Sequence, residues 1–125
     1  MKIRYFWKPG LWLLVIFYLS LMPGEDIPRI PLFSFPHFDK VVHLVMYFVF
    51  ALLLIKPFST LSKRAYLYSF LLAMTISGCI EIMQATLTKL RHGDWFDFLA
   101  NLTGIALAIL LHHFLISGEK WEKYF

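Results

Sequence analysis

Glu81, Gln84, Arg91, His92, Asp94, Asp97 and Asn101 bring carboxylates, amides, an arginine and a histidine into the otherwise apolar stretch EIMQATLTKLRHGDWFDFLANLTG. A second polar group stands upstream, where Asp39, Lys40, His43 and Tyr47 interrupt FDKVVHLVMYFVFALLLI. These types suit three kinds of chemistry. His43 with Glu81 or Asp97 makes an acid–base set, because imidazole titrates near neutrality and a carboxyl group responds strongly to burial and to neighbouring charge. Lys40 as a point charge and Arg91 as a planar fork suit a phosphate or carboxylate headgroup, with Asp39, Tyr47, Gln84, Asp94 and Asn101 as further candidate binding residues. His43, Glu81, Asp94 and Asp97 also carry donor atoms suited to a metal. No HExxH-type spacing joins them, so the sequence calls for no metal and no cofactor. No nucleophile stands out: Ser20 could reach the cluster from the first helix, but no GxSxG elbow surrounds it.

Each residue also has a structural reading. Asp94 ahead of Trp95 reads first as a helix N-cap, and Asp39 fits the same role. His43 alone is an ordinary packing histidine, Tyr47 and Trp95 are interface aromatics, and His112 and His113 lie at the opposite interface without a role. Glu81 and Asp97 are harder to dismiss, since both fall within apolar runs where packing alone favours leucine. Taken as a set, the pattern reads as a functional site ahead of a purely structural network.

The elements that position these residues follow from composition. Of 125 residues, 59% are hydrophobic and 16% charged, and the mean hydropathy is +0.66, which places the chain in the membrane class. Its length accommodates about four spans of roughly 20 residues. The apolar runs predict helices over about 6–22, 38–56, 65–88 and 95–116 in a single domain, 1–125. The first apolar core, Leu11 to Met22, is short. It spans only with Tyr5, Phe6 and Trp7 in the interface and Lys8 snorkelling, and it reads as a retained anchor, because no small-x-small cleavage pattern follows it. Pro23 to Pro36 reads as a surface loop, and Lys56-Pro57 as the stop of the second helix. Cys79 is the only cysteine, so no disulfide or cysteine cluster is available. The net charge of +4 comes from basic residues scattered over span ends, which excludes a nucleic-acid face.

Those basic residues orient the bundle. Lys2, Arg4, Lys8, Lys56, Lys63, Arg64, Lys120 and Lys123 fall on one side of a four-span chain, and Arg29, Lys40, Lys89 and Arg91 on the other. The richer side is expected to be cytoplasmic, with both termini. The start of helix two, the end of helix three and the start of helix four then meet on the outer side. His43, Tyr47, Glu81 and Asn101 share a level about 5 to 10 Å below that interface. Their stripes continue into small residues, Ser69, Ala73 and Ser77 on helix three and Gly104 and Ala108 on helix four, where helices approach closely. The expected architecture is an all-α membrane protein, a four-transmembrane-helix antiparallel bundle with an outward-facing polar pocket.

The motifs S-x-x-P at Ser20 and Pro23, D-K-x-x-H-x-x-x-Y at Asp39, Lys40, His43 and Tyr47, and E-x-x-Q followed by R-x-x-D-x-x-D-x-x-x-N-x-x-G from Glu81 through Gly104 resemble the VanZ-like family over nearly the whole chain. The resemblance implies a small multi-pass protein of the bacterial cytoplasmic membrane. The name-giving member is associated with low-level teicoplanin resistance, and the molecular activity of most members is not established. Two functions fit. In the first the pocket binds the headgroup of a membrane lipid or lipid-linked cell-wall precursor; in the second it hydrolyses or transfers a group on such a substrate, with His43, Glu81 and Asp97 as catalytic groups. A proton or ion path is disfavoured, because few polar residues continue inward from Ser77. An oligomer is compatible with the sequence.

Overall fold

The computed structural model describes residues 2–21, 38–87, 95–120 and 122–124. The Pro-rich segment 22–37 and the connection 88–94, with Arg91, His92 and Asp94, lie outside the described residues. Among those described, all regular structure is helical. A 3-10 segment, Lys2–Phe6, leads into α1 (Trp7–Leu21); α2 is Phe38–Ser59, α3 is Ala65–Leu87 and α4 is Trp95–Leu111, followed by a π-helical turn, His112–Ile116.

Three of these segments, Phe38–Ser59, Ala65–Thr86 and Trp95–Ile116, are long and apolar enough to cross a membrane. Helix α1 has 15 residues and falls short of that length by itself. Large apolar side chains cover the outside, among them Leu14, Tyr18, Ile82, Phe96 and Phe114, each more than 60% exposed. In water such a surface is unfavourable; in lipid it is the expected coat.

The second helix does not stop at Lys56-Pro57. It continues to Ser59 with Pro57 inside, where the missing proline N–H removes only one bond from the final turn. Hydroxyls reinforce the last carbonyls, which the Thr60 N–H also reaches: Ser59 Oγ donates to Lys56 O and Thr60 Oγ1 to Pro57 O, both at 2.7 Å.

Cross-helix contacts give the helices alternating directions. At one end the Phe6 ring meets Phe58 at 5.4 Å between centroids, Phe58 meets Tyr68 at 5.9 Å, and Tyr66 Oη lies 3.1 Å from His112 Nδ1. His112 is thus buried in the bundle. At the other end Gln84 Nε2 donates to Ser20 O at 2.6 Å, and Lys40 reaches Asp97. Midway, Trp12 Nε1 donates to Met46 O at 2.9 Å and ties α1 to α2.

Helix α2 is the centre of the bundle: half of its membrane-length window is buried, against 28% for α3 and 33% for α4. The core gathers around Tyr47, Phe50, Ala51 and Leu54 of α2, with Ile16, Ala73, Ile80, Ile105 and Ala108. Gly104 sets the α2–α4 spacing. A β-carbon there would fall on the Leu44 carbonyl oxygen and lie 3.1 Å from the Phe48 nitrogen, so the two backbones pack directly, as small residues permit in membrane helices.

Candidate functional site

Three helices each contribute a pair of polar residues on one face. Lys40 and His43 are three apart on α2, Ser77 and Glu81 four apart on α3, and Asp97 and Asn101 four apart on α4. The close α2–α4 approach at Gly104, one turn below Asn101, brings these faces together.

Asn101 joins the three helices. Its Oδ1 lies 3.1 Å from His43 Nδ1, while its Nδ2 donates to Ser77 Oγ at 2.8 Å and to Glu81 Oε1 at 3.3 Å. An amide oxygen only accepts, so this orientation places a proton on His43 Nδ1. The lone pair of neutral His43 is then on Nε2, which faces Asp97 Oδ2 at 3.8 Å, beyond hydrogen-bonding reach. Glu81 Oε1 stands 3.6 Å from the other ring nitrogen. The imidazole thus lies between two carboxylates, and His43, Glu81, Asp97 and Asn101 are all buried.

Exposure rises toward the rim. Lys40 Nζ sits 3.1 Å from Asp39 Oδ2 and 3.3 Å from Asp97 Oδ1. The Asp39 side chain is 55% exposed, Lys40 25% and Asp97 11%, so charge passes by steps from the surface to the buried imidazole. Deeper along α2, Tyr47 is wholly buried with its ring edge-on to Phe50. Its hydroxyl interacts with the Ser77 side chain and lies near Glu81, but makes no hydrogen bond of good geometry with a described residue.

Of the candidate residues, the structure brings Lys40, His43, Tyr47, Glu81, Asp97 and Asn101 into one cluster, with Asp39 at its rim. Gln84 is buried, and its amide nitrogen is engaged on the backbone of α1 through Ser20. Arg91 and Asp94 lie outside the described residues. Ser77 enters as a hydrogen-bonding member of the site, although in the sequence it reads only as part of a small-residue stripe. Its spacing of four before Glu81 is the signal that could have marked it.

One donor atom each from His43, Glu81 and Asp97 lie within 4.8 Å of one another, a set able to surround a small cation. The same set can hold and pass a proton, with Lys40 as its more exposed neighbour toward the rim.

A family model described as VanZ/LLP1 matches residues 3–116. An uncharacterized protein of Schizosaccharomyces pombe is 33% identical over 111 residues, covering 88% of this chain and 67% of its own length. No solved structure matches the chain.

Proposed function

Since this chain belongs to the VanZ/LLP1 family, we propose that it is a multi-pass membrane protein that receives the polar headgroup of a membrane lipid, or of a lipid-linked envelope precursor, among Lys40, His43, Glu81, Asp97 and Asn101. The carrying observation is the graded placement of charge, from half-exposed Asp39 through quarter-exposed Lys40 to buried His43, at one end of a bundle whose outside is apolar. A charge deep in the bilayer costs at least about 2.5 to 3.5 kcal/mol. Packing alone would not keep so many at one level. Gln84 closes the α1 side of the site.

In this reading residues 1–125 form one domain in which α1, extended by Lys2–Phe6, supplies a fourth span. Both termini are cytoplasmic and the pocket faces outward. A lipid headgroup suits both a bacterial cytoplasmic membrane and a yeast relative, whereas a cell-wall precursor or a part in glycopeptide resistance would suit only the former. Native mass spectrometry of the purified protein tests the reading. The wild type is expected to retain bound phospholipid, and Lys40→Gln to lose most of it while keeping its thermal midpoint. Equal lipid retention by both proteins, or none by the wild type, would count against it.

The imidazole set between two carboxylates favours a second reading, a membrane enzyme acting on a lipid-linked substrate. Asn101 fixes the ring so that Nε2 is its basic atom, and Asp97 or Glu81 complements the charge that forms when it takes a proton. Under this reading His43→Ala, Glu81→Gln and Asp97→Asn each shift the lipid-linked intermediates that accumulate in cells. Unchanged profiles at normal protein levels would leave the binding function alone.

A further inference from the structure

We infer that the end of the bundle opposite the polar site binds an anionic phospholipid from the surrounding bilayer, its phosphate held by Arg4, Lys63 and Arg64 and its acyl chains laid along the outer face of α1. This binding site is independent of the headgroup reading. It uses other residues, at the other end of the helices.

Packing assembles the corner. The Phe58 ring, in the last turn of α2, lies between Phe6 of the leading 3-10 segment, edge-on at 5.4 Å between centroids, and Tyr68 of α3, at 5.9 Å. Three segments distant in the chain therefore meet on one aromatic ring. Two of them carry basic residues to it. Arg4 stands two residues before Phe6, while Lys63 and Arg64 lead into α3, where the Tyr68 N–H donates to Arg64 O at 3.0 Å across a single turn. In the sequence these cations serve only to orient the bundle. The ring contacts bring them to a common corner.

Two properties of these cations point to a phosphate. Arg4, Lys63 and Arg64 are exposed, and among the described residues none of them forms an ion pair. Lys40, at the other end, has two carboxylates within reach. Cations at a membrane surface that lack a carboxylate attract the phosphates of anionic lipids. Arg4 is also held in place, with Nη2 donating to Tyr5 Oη at 3.4 Å and its guanidinium 5.2 Å from the Tyr5 ring centroid. The rest of that planar fork suits phosphate oxygens, which a guanidinium can grip through two bonds at once.

Beside the cations runs a lane for acyl chains. Ile3, Trp7, Leu11, Leu14 and Tyr18 recur at helical spacing, so they share one face, and all are exposed. Arg4 directly follows one member of that face, and Lys8, whose ammonium lies 5.9 Å from the Trp7 ring centroid, directly follows another. A lipid held here has a use in the fold. Helix α1 has only 15 residues, and its leading segment meets α2 through Phe6 on Phe58. A phosphate shared by Arg4 and Arg64 links that segment to the turn before α3 and fixes the depth of a short helix.

Because such a lipid exchanges with the bilayer, the test is made in nanodiscs of phosphatidylcholine with a minority of phosphatidylglycerol, either lipid being brominated to quench tryptophan. Brominated phosphatidylglycerol is expected to quench as though enriched about tenfold over its share of the bilayer. Trp7→Phe should remove that excess by removing the reporter, and Arg4→Gln combined with Arg64→Gln should remove it while the melting midpoint holds. Lys40→Gln should leave it intact, which separates this site from the headgroup pocket. On the wild type alone, raising the salt to about 0.5 M should reduce the excess by screening. Quenching in simple proportion to composition overturns the proposal, as does an excess that survives the arginine changes, survives Trp7→Phe, ignores salt or disappears in Lys40→Gln. Relief of the excess by soluble glycerophosphate would mean that the corner takes a free phosphate, and would overturn the lipid assignment.

Discussion

Asn101 has the widest reach of any side chain in the site, since one amide serves His43, Ser77 and Glu81 on two other helices. Replacing it with leucine, similar in size, removes a bond from each of three buried groups at once. Leaving a buried polar group short of a partner costs about 1–3 kcal/mol, so Asn101→Leu should lower unfolding stability in detergent by at least about that amount. An unchanged denaturation midpoint would show that the network is not formed. Tyr47→Phe works in the opposite direction. It deletes a buried hydroxyl whose interaction with Ser77 falls short of good hydrogen-bond geometry, so stability should hold or rise by up to about 1 kcal/mol, while lipid retention falls. A clear loss of stability would instead reveal a bond that the hydroxyl makes. At this scale the sequence was informative about which residues matter, because charge inside an apolar run is costly and therefore conspicuous. It was uninformative about Ser77, since a serine in a stripe of small residues is equally at home as packing.

For the elements, the decisive contact is where α4 lies on α2. Gly104 leaves no room for a side chain against the Leu44 carbonyl, and a backbone atom yields far less readily than a side chain. Gly104→Ala should therefore separate the two helices and cost about 1–3 kcal/mol of overpacking, seen as a lower melting midpoint and reduced yield. Because Asn101 lies one turn away, lipid retention should fall with it. Normal stability would mean that the crossing is looser than described. Helix extents were legible from apolar runs, with one instructive departure. Proline reads as a stop, yet Pro57 sits where only one bond is forfeited, and Ser59 and Thr60 hydroxyls finish the turn. The burial of His112 against Tyr66 was not legible, since it depends on how α3 and α4 are rotated toward each other.

Considered whole, the molecule is a bundle whose helices alternate in direction and whose polar site is confined to one end. Hydropathy gives the order of candidate spans, and the placement of basic residues predicts their sense. A fluorescent protein that folds only in the cytoplasm, fused after Phe125, should therefore be bright. A dark fusion at normal expression would place the site on the opposite side of the membrane. Convergence of three helices on one level could be anticipated from counting residues, but the distances that decide chemistry could not. They depend on the rotation of each helix about its axis, which Gly104 and the Ser69, Ala73, Ser77 stripe fix through packing. Helix α1 is tied in differently. Trp12 and Gln84 span its contacts with α2 and α3, and both bonds end on main-chain carbonyls, of Met46 and Ser20. Every amino acid offers that acceptor. These two fastenings are therefore addressed to places in the chain and not to kinds of residue. Through evolutionary drift, positions 46 and 20 can change without loosening either bond, while the tryptophan and glutamine that reach for them cannot.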